Sequence, residues 1–98
     1  MFRHVVTFRW IEGTTDEQRR AVEAEVATLP PQMLGLREYR FGHDAGLVEG
    51  NADFAIVADF DDEDGWRRYQ EHPAHQAVLG DRIRPILASR AAVQLQIS

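Results

Sequence analysis

The sequence predicts an α+β fold: a four-stranded antiparallel sheet with its helices on one face. Three observations carry the prediction. Period-two alternation occurs near the start, in the middle and at the end of the chain. Helical spacing fills two stretches between these strands, and the resulting order is β-α-β-β-α-α-β. The 98 residues form one expected domain, 1–98. A chain this short buries only about two-thirds of its unfolded surface, so oligomerisation is an expected addition to its core.

Residues 2–10 place Phe2, His4, Val6, Phe8 and Trp10 on one face, opposite Arg3, Val5, Thr7 and Arg9. His4 is the sole polar member of the apolar face. Next come Gly13, a turn residue, and Thr14 or Thr15, either of which can N-cap a helix. Thr14–Glu17 and Thr15–Gln18 both have capping-box spacing. Val22, Val26 and Leu29 form the helical stripe, and Pro30–Pro31 ends it. Residues 36–41 (LREYRF) read as a strand with Tyr39 and Phe41 on one face, and the glycine-rich 42–51 as a loop with His43 in solvent. Residues 52–60 alternate Phe54, Ile56, Ala58 and Phe60 with Asp53, Ala55, Val57 and Asp59. Ala55 and Val57 keep the second face apolar at its centre, which predicts cover on both sides.

Four acids, Asp61–Asp64, suit a helix N-terminus through capping and the macrodipole. The segment from Pro73 to about Leu87 reads as helical, bent or shortened by Pro85, and residues 91–97 as the last strand. Two βαβ-like crossovers joined by a hairpin describe the split βαβ, or ferredoxin-like, arrangement. Its uncovered sheet face carries Val5, Ala55 and Val57. A second copy packed sheet to sheet, closing a dimeric α/β barrel, is the simplest partner.

Charge and composition narrow the function. The net charge of −5 repels phosphate backbones, and no basic cluster is interleaved with aromatics, so nucleic acid is not an expected partner. All eleven basic residues are arginines, a bias that fits a GC-rich genome better than a binding function. No apolar run approaches a membrane span, residues 1–10 lack the apolar core of a signal peptide, and cysteine is absent. A cytoplasmic protein without membrane contact is therefore expected.

The stretch YQEHPAHQAV (69–78) concentrates the reactive side chains. Pro73 would clash with the carbonyl of Tyr69 in a continuous helix and pushes His72 out of the α region. One helix therefore ends near Glu71, His72 occupies a junction with a structural role, and Pro73 opens the next helix with His75 in its first turn. Metal binding needs three or four convergent ligands; His-x-x-His supplies two and lacks the glutamate of the zinc motif, so no metal is expected. Neither Ser89 nor Ser98 has a nucleophile elbow. Two readings stay open from the residues alone. In one, His4, Tyr69 and His75 provide acid–base chemistry between strand and helices. In the other, His4 is a core histidine, Tyr69 is packing and HPAH is a helix junction.

RHVVTFRW, DFAIVADF and above all Y-x-x-HPAH after an acidic helix start resemble the stress-responsive α/β-barrel (Dabb) family over nearly the whole chain. The resemblance implies a ferredoxin-like protomer that dimerises through its sheet into a barrel. One plant member of that family cyclises a linear polyketide without a cofactor. Carried over by position, His4 and Tyr69 match active-site residues of that cyclase and His75 matches its catalytic base. Phe54 stands where the cyclase has a further histidine, which implies a more apolar cavity wall shared by Phe54 and Val6. No cofactor is expected. The functions implied are binding of an apolar carbonyl compound with cyclase or isomerase chemistry, a non-catalytic stress or assembly role, or cofactor-free oxidation as in similar monooxygenase barrels.

Overall fold

Strand β1 (Phe2–Trp10) lies inside a four-stranded antiparallel sheet of order β2-β3-β1-β4, with β2 at Leu36–His43, β3 at Phe54–Phe60 and β4 at Leu87–Gln96. The computed structural model describes residues 1–97; Ser98 lies outside them. Helix α1 (Asp16–Val26) connects β1 to β2. Helices α2 (Glu63–Glu71) and α3 (Pro73–Val78) connect β3 to β4. This is the ferredoxin-like arrangement.

Local chemistry fixes each helix start. Thr15 caps α1 in a complete capping box with Gln18. Asp62 caps α2 by accepting from the Gly65 amide at 3.0 Å. His72 ends α2 and caps α3, its Nδ1 accepting from the Ala74 amide at 3.0 Å, and Pro73 takes the first helical position. Beyond Val78 the chain widens into a π-helical turn, Leu79–Ile83, then tightens into a 3₁₀ turn, Arg84–Ile86. Pro85 cannot supply an amide to a regular helix, so the expected long helix ends early and β4 begins at Leu87 rather than residue 91.

Alternation along the strands separates two sheet faces. The covered face buries His4, Val6, Phe8, Trp10, Phe54, Ile56, Ala58 and Phe60 beneath the helices, which contribute Val22, Val26, Tyr69, Val78 and Ile83. Gly65 lets α2 approach this face closely, since a Cβ there would lie 3.3 Å from the Phe60 side chain. The opposite face has no helical cover. Val5 and Val57 are half-buried, whereas Val93 and Leu95 are 53% and 40% exposed. Across that face Arg3 donates twice to Asp59, at 2.6 and 2.8 Å. This pair holds the Asp59 carboxyl below the usual carboxylate range.

His43 departs from expectation. Strand β2 runs two residues past Phe41, so His43 belongs to the sheet and is largely buried. Its Nε2 accepts from the Trp10 indole at 3.1 Å and its Nδ1 contacts Glu23 at 2.8 Å. The glycines around it suggested a loop, but Gly42 is accommodated within the strand opposite Ala55.

Candidate functional site

Register aligns one polar row across the covered face. Tyr39 pairs with Ala58, Ala58 with His4, and His4 with Gln94. Ala58, fully buried, is the smallest side chain of the row. Tyr69 descends from α2 onto this row and its hydroxyl meets that of Tyr39 at 2.9 Å. The Tyr69 ring also packs on His75 from α3, with centroids 4.2 Å apart, and faces His4 at 6.3 Å. His4, Tyr69 and His75 thus come from three elements and border one cavity of about 300 Å³ between sheet and helices. Val6, Ile56, Val78, Leu79, Ile83 and Leu87 form much of its apolar wall.

The π turn matters to this shape. It brings Leu79 and Ile83 to the wall and leads directly into Arg84, which also borders the cavity. Such wide turns recur at functional sites because they aim side chains that a regular helix would turn away.

Both histidines are electrically neutral near pH 7. Burial pushes His4 down to about 4, helped by the positive charge of Arg90 and by His75. Burial also pushes His75 down to about 4, opposed by the backbone carbonyl of Gln70 and reinforced by His72, Arg84 and Arg90. The His4 Nδ1 accepts from the Gln94 side-chain amide at 2.9 Å, which assigns the ring proton of neutral His4 to Nε2. His75 Nδ1 is buried without any hydrogen-bond partner. An orphan of this kind costs about 1–3 kcal/mol and is rare in a packed interior.

The two tyrosines divide their tasks. Burial raises Tyr39 far above the normal phenol range, with the neighbouring Tyr69 adding to the effect. Burial pushes Tyr69 up only to about 12, because the hydrogen bond from Tyr39 acts in the opposite direction. Either hydroxyl can donate in this pair, and with Tyr39 donating, the Tyr69 proton is available to a third group. The alternation of Tyr39 with Phe41 signalled its inward face in the sequence. Its pairing with Tyr69 depends on register, which a single strand does not encode.

Phe54 does not form the expected wall. It lies among the rings of Phe8, Trp10, Phe41 and His43, at centroid distances of 4.6–6.3 Å, and does not border the cavity. Alternation identified its face correctly. Its position along β3 is opposite Phe8, four residues along each strand from the His4–Ala58 pair. Val6 does line the cavity, whereas Trp10 and Trp66 do not. Among the described residues, no three His, Asp or Glu side chains converge as a metal site would require. No described helix is long and apolar enough to cross a membrane.

A family model described as the stress responsive A/B barrel domain (Dabb) matches residues 2–97. An uncharacterised protein of Streptomyces coelicolor is 35% identical over 79 residues, covering 79% of this chain and 81% of the relative. A dimeric ferredoxin-like protein of unknown function from Thermobifida fusca is 47% identical, with a TM-score of 0.91 over 98% of this chain and 90% of that one. The hydroxynitrile lyase of Passiflora edulis reaches a TM-score of 0.83 over 99% of this chain and 93% of its own, at 16% identity. That last likeness is one of fold.

Proposed function

The chain belongs to the stress-responsive A/B barrel (Dabb) family, and we propose that it is a homodimeric barrel protein that binds a small apolar carbonyl compound and catalyses proton transfer beside the carbonyl. The observation that carries this reading is the convergence of His4, Tyr69 and His75 on one cavity. A volume near 300 Å³ lies at the small end of ligand sites, which run from roughly 300 to 1,000 Å³.

In the proposed reaction, neutral His75 removes a proton from the carbon next to the carbonyl. The C–H electron pair becomes the C=C bond of an enolate, and the C=O π electrons move onto oxygen. Tyr69 and the Nε2–H of His4 donate hydrogen bonds to that oxygen. Burial disfavours a lone imidazolium, but imidazolium and enolate together are neutral and stabilise each other in a low dielectric. Return of the proton to a different carbon completes an isomerisation. Attack of the enolate carbon on a second carbonyl instead forms a ring. No step requires a cofactor.

The dimer would form through the open sheet face, where Val5, Val57, Val93 and Leu95 supply apolar contact and Arg3–Asp59 a fixed polar centre. The dimeric state of the Thermobifida protein supports a homodimer. A stable interface buries about 1,200–2,000 Å² in total. The second reading, a barrel whose assembly is its whole task, rests on this same face.

Native mass spectrometry tests the binding and assembly proposed. The expected species is a dimer carrying one small molecule per protomer, or taking up added 2-octanone at that ratio. Val57→Asp should shift it toward monomer by burying an unpaired charge. A native monomer at micromolar concentration would contradict the assembly, and a dimer that never takes up the ketone would favour the non-catalytic reading.

A further inference from the structure

Eleven arginines serve this chain, and most already have partners. Arg3, Arg19, Arg37, Arg67 and Arg82 pair with acids of the fold, and Arg40 lies near Glu38. Arg9 donates to the carbonyls of Gly50 and Asn51. The guanidinium groups of Arg84 and Arg90 make no hydrogen bond or ion pair among the described residues, and both residues border the cavity. The chain has sixteen acids, yet none of them lines that cavity. A molecule of net charge −5 thus keeps two unneutralised cations beside this cavity. Arg90 also contributes to the depressed basicity of both His4 and His75, so its charge reaches the polar row.

Register gives the spacing. Arg90 pairs with Phe8, and Gln94 with His4, four residues along β4. At about 3.3 Å per residue, the Arg90 backbone is about 13 Å from the polar row, a gap that the long arginine side chain shortens. Between the two rows, register places Val6 opposite Ile56, and both line the cavity.

We infer that the natural ligand is an anionic oxo acid, with its carbonyl at the His4–Tyr69–His75 end, its carboxylate at Arg84 and Arg90, and an apolar chain between them. Guanidinium groups favour carboxylates through charge-assisted, often bidentate, hydrogen bonds. The inference rests on the cavity being the ligand site proposed above. It adds the charge of the ligand and the direction in which it binds.

Calorimetric titration of the protein with 7-oxooctanoate and with its neutral isostere, 7-oxooctanamide, tests it. The acid should bind at least about tenfold tighter than the amide, the worth of one charge-assisted hydrogen bond, and added salt should reduce the difference. Arg84→Gln with Arg90→Gln should lower acid affinity to the level of the amide. Arg20→Gln, an exposed arginine that does not border the cavity, should leave the preference intact. Should the double variant fail to fold, each single variant should lose part of the preference. Equal binding of acid and amide by the native protein would overturn the anion inference while sparing the carbonyl-binding reading. A preference that survives both cavity substitutions, or falls equally with Arg20→Gln, would also overturn it. If neither compound binds, both the inference and the reading beneath it fail.

Discussion

The covered face of the sheet has two ends built from similar side chains and left in opposite states. At one end Phe8, Trp10, Phe41, Phe54 and His43 pack ring against ring, with Trp10 stacked at 5.7 Å on Phe8 and 5.9 Å on Phe54. Every ring nitrogen there has a partner: the Trp10 indole donates to His43, which in turn meets Glu23. At the other end His4, Trp66, Tyr69 and His75 also gather within about 4–6 Å of a neighbour. Yet the Trp66 indole and His75 Nδ1 are buried without partners, and a cavity opens beside the histidines. A histidine tied on both sides strengthens a fold. One buried neutral, with a nitrogen unsatisfied, weakens the fold and keeps a base in a low-dielectric site.

The packed end should respond most strongly to truncation. Phe54→Ala removes a fully buried ring from the centre of that cluster and should cost about 3–5 kcal/mol in denaturant unfolding. A loss below about 1 kcal/mol would mean that the cluster is not a structural anchor.

Acid should strike the hollow end next. The native pKa values of His4 and His75, about 4, lie below the ordinary 6.5. The unfolded chain therefore binds these protons first as pH falls, and stability is lost from about 6.5 down to about 4. Above that window the contribution is fully present. The melting temperature should fall through this range, and less steeply in His75→Leu. An equal slope in the two proteins would contradict the burial-driven shift of His75.

Two smaller changes sharpen the contrast between histidines. His43→Ala leaves the Trp10 indole without its acceptor and should destabilise by about 1–3 kcal/mol. His75→Leu removes an unsatisfied group and keeps apolar volume, so it should leave stability unchanged or raise it by up to about 1 kcal/mol. Equilibrium unfolding of the two variants side by side checks the pair. Equal losses would erase the distinction drawn between the two ends.

The sequence supported the fold better than the site because the two depend on different information. Alternation in β1 and β3, the Thr15 capping box and the Pro73 break are local, and each appears in the structure where its chemistry requires. His4 was conspicuous as a polar residue on an apolar face. What a single strand cannot encode is which row of the sheet a residue joins. That is why Phe54 belongs to the packed end, and why Tyr39, level with His4 across two strand pairings, was missed as the partner of Tyr69. His43 was obscured by neighbouring glycines, which favour turns but do not prevent a strand from continuing. Arg84 and Arg90 looked like two of eleven unremarkable surface arginines until the cavity beside them was defined.

Deuterium uptake by 2-octanone in D2O, followed by NMR at the carbons flanking the carbonyl, tests the proposed proton transfer most directly. This neutral ketone makes the result independent of the charge expected for the natural ligand. The native protein should accelerate exchange by about 10²–10⁴-fold over buffer, the usual range for a positioned general base. His75→Leu should abolish the acceleration while retaining the native fold. Exchange at the buffer rate with ketone bound in the cavity, or exchange equally fast in His75→Leu, would contradict the account.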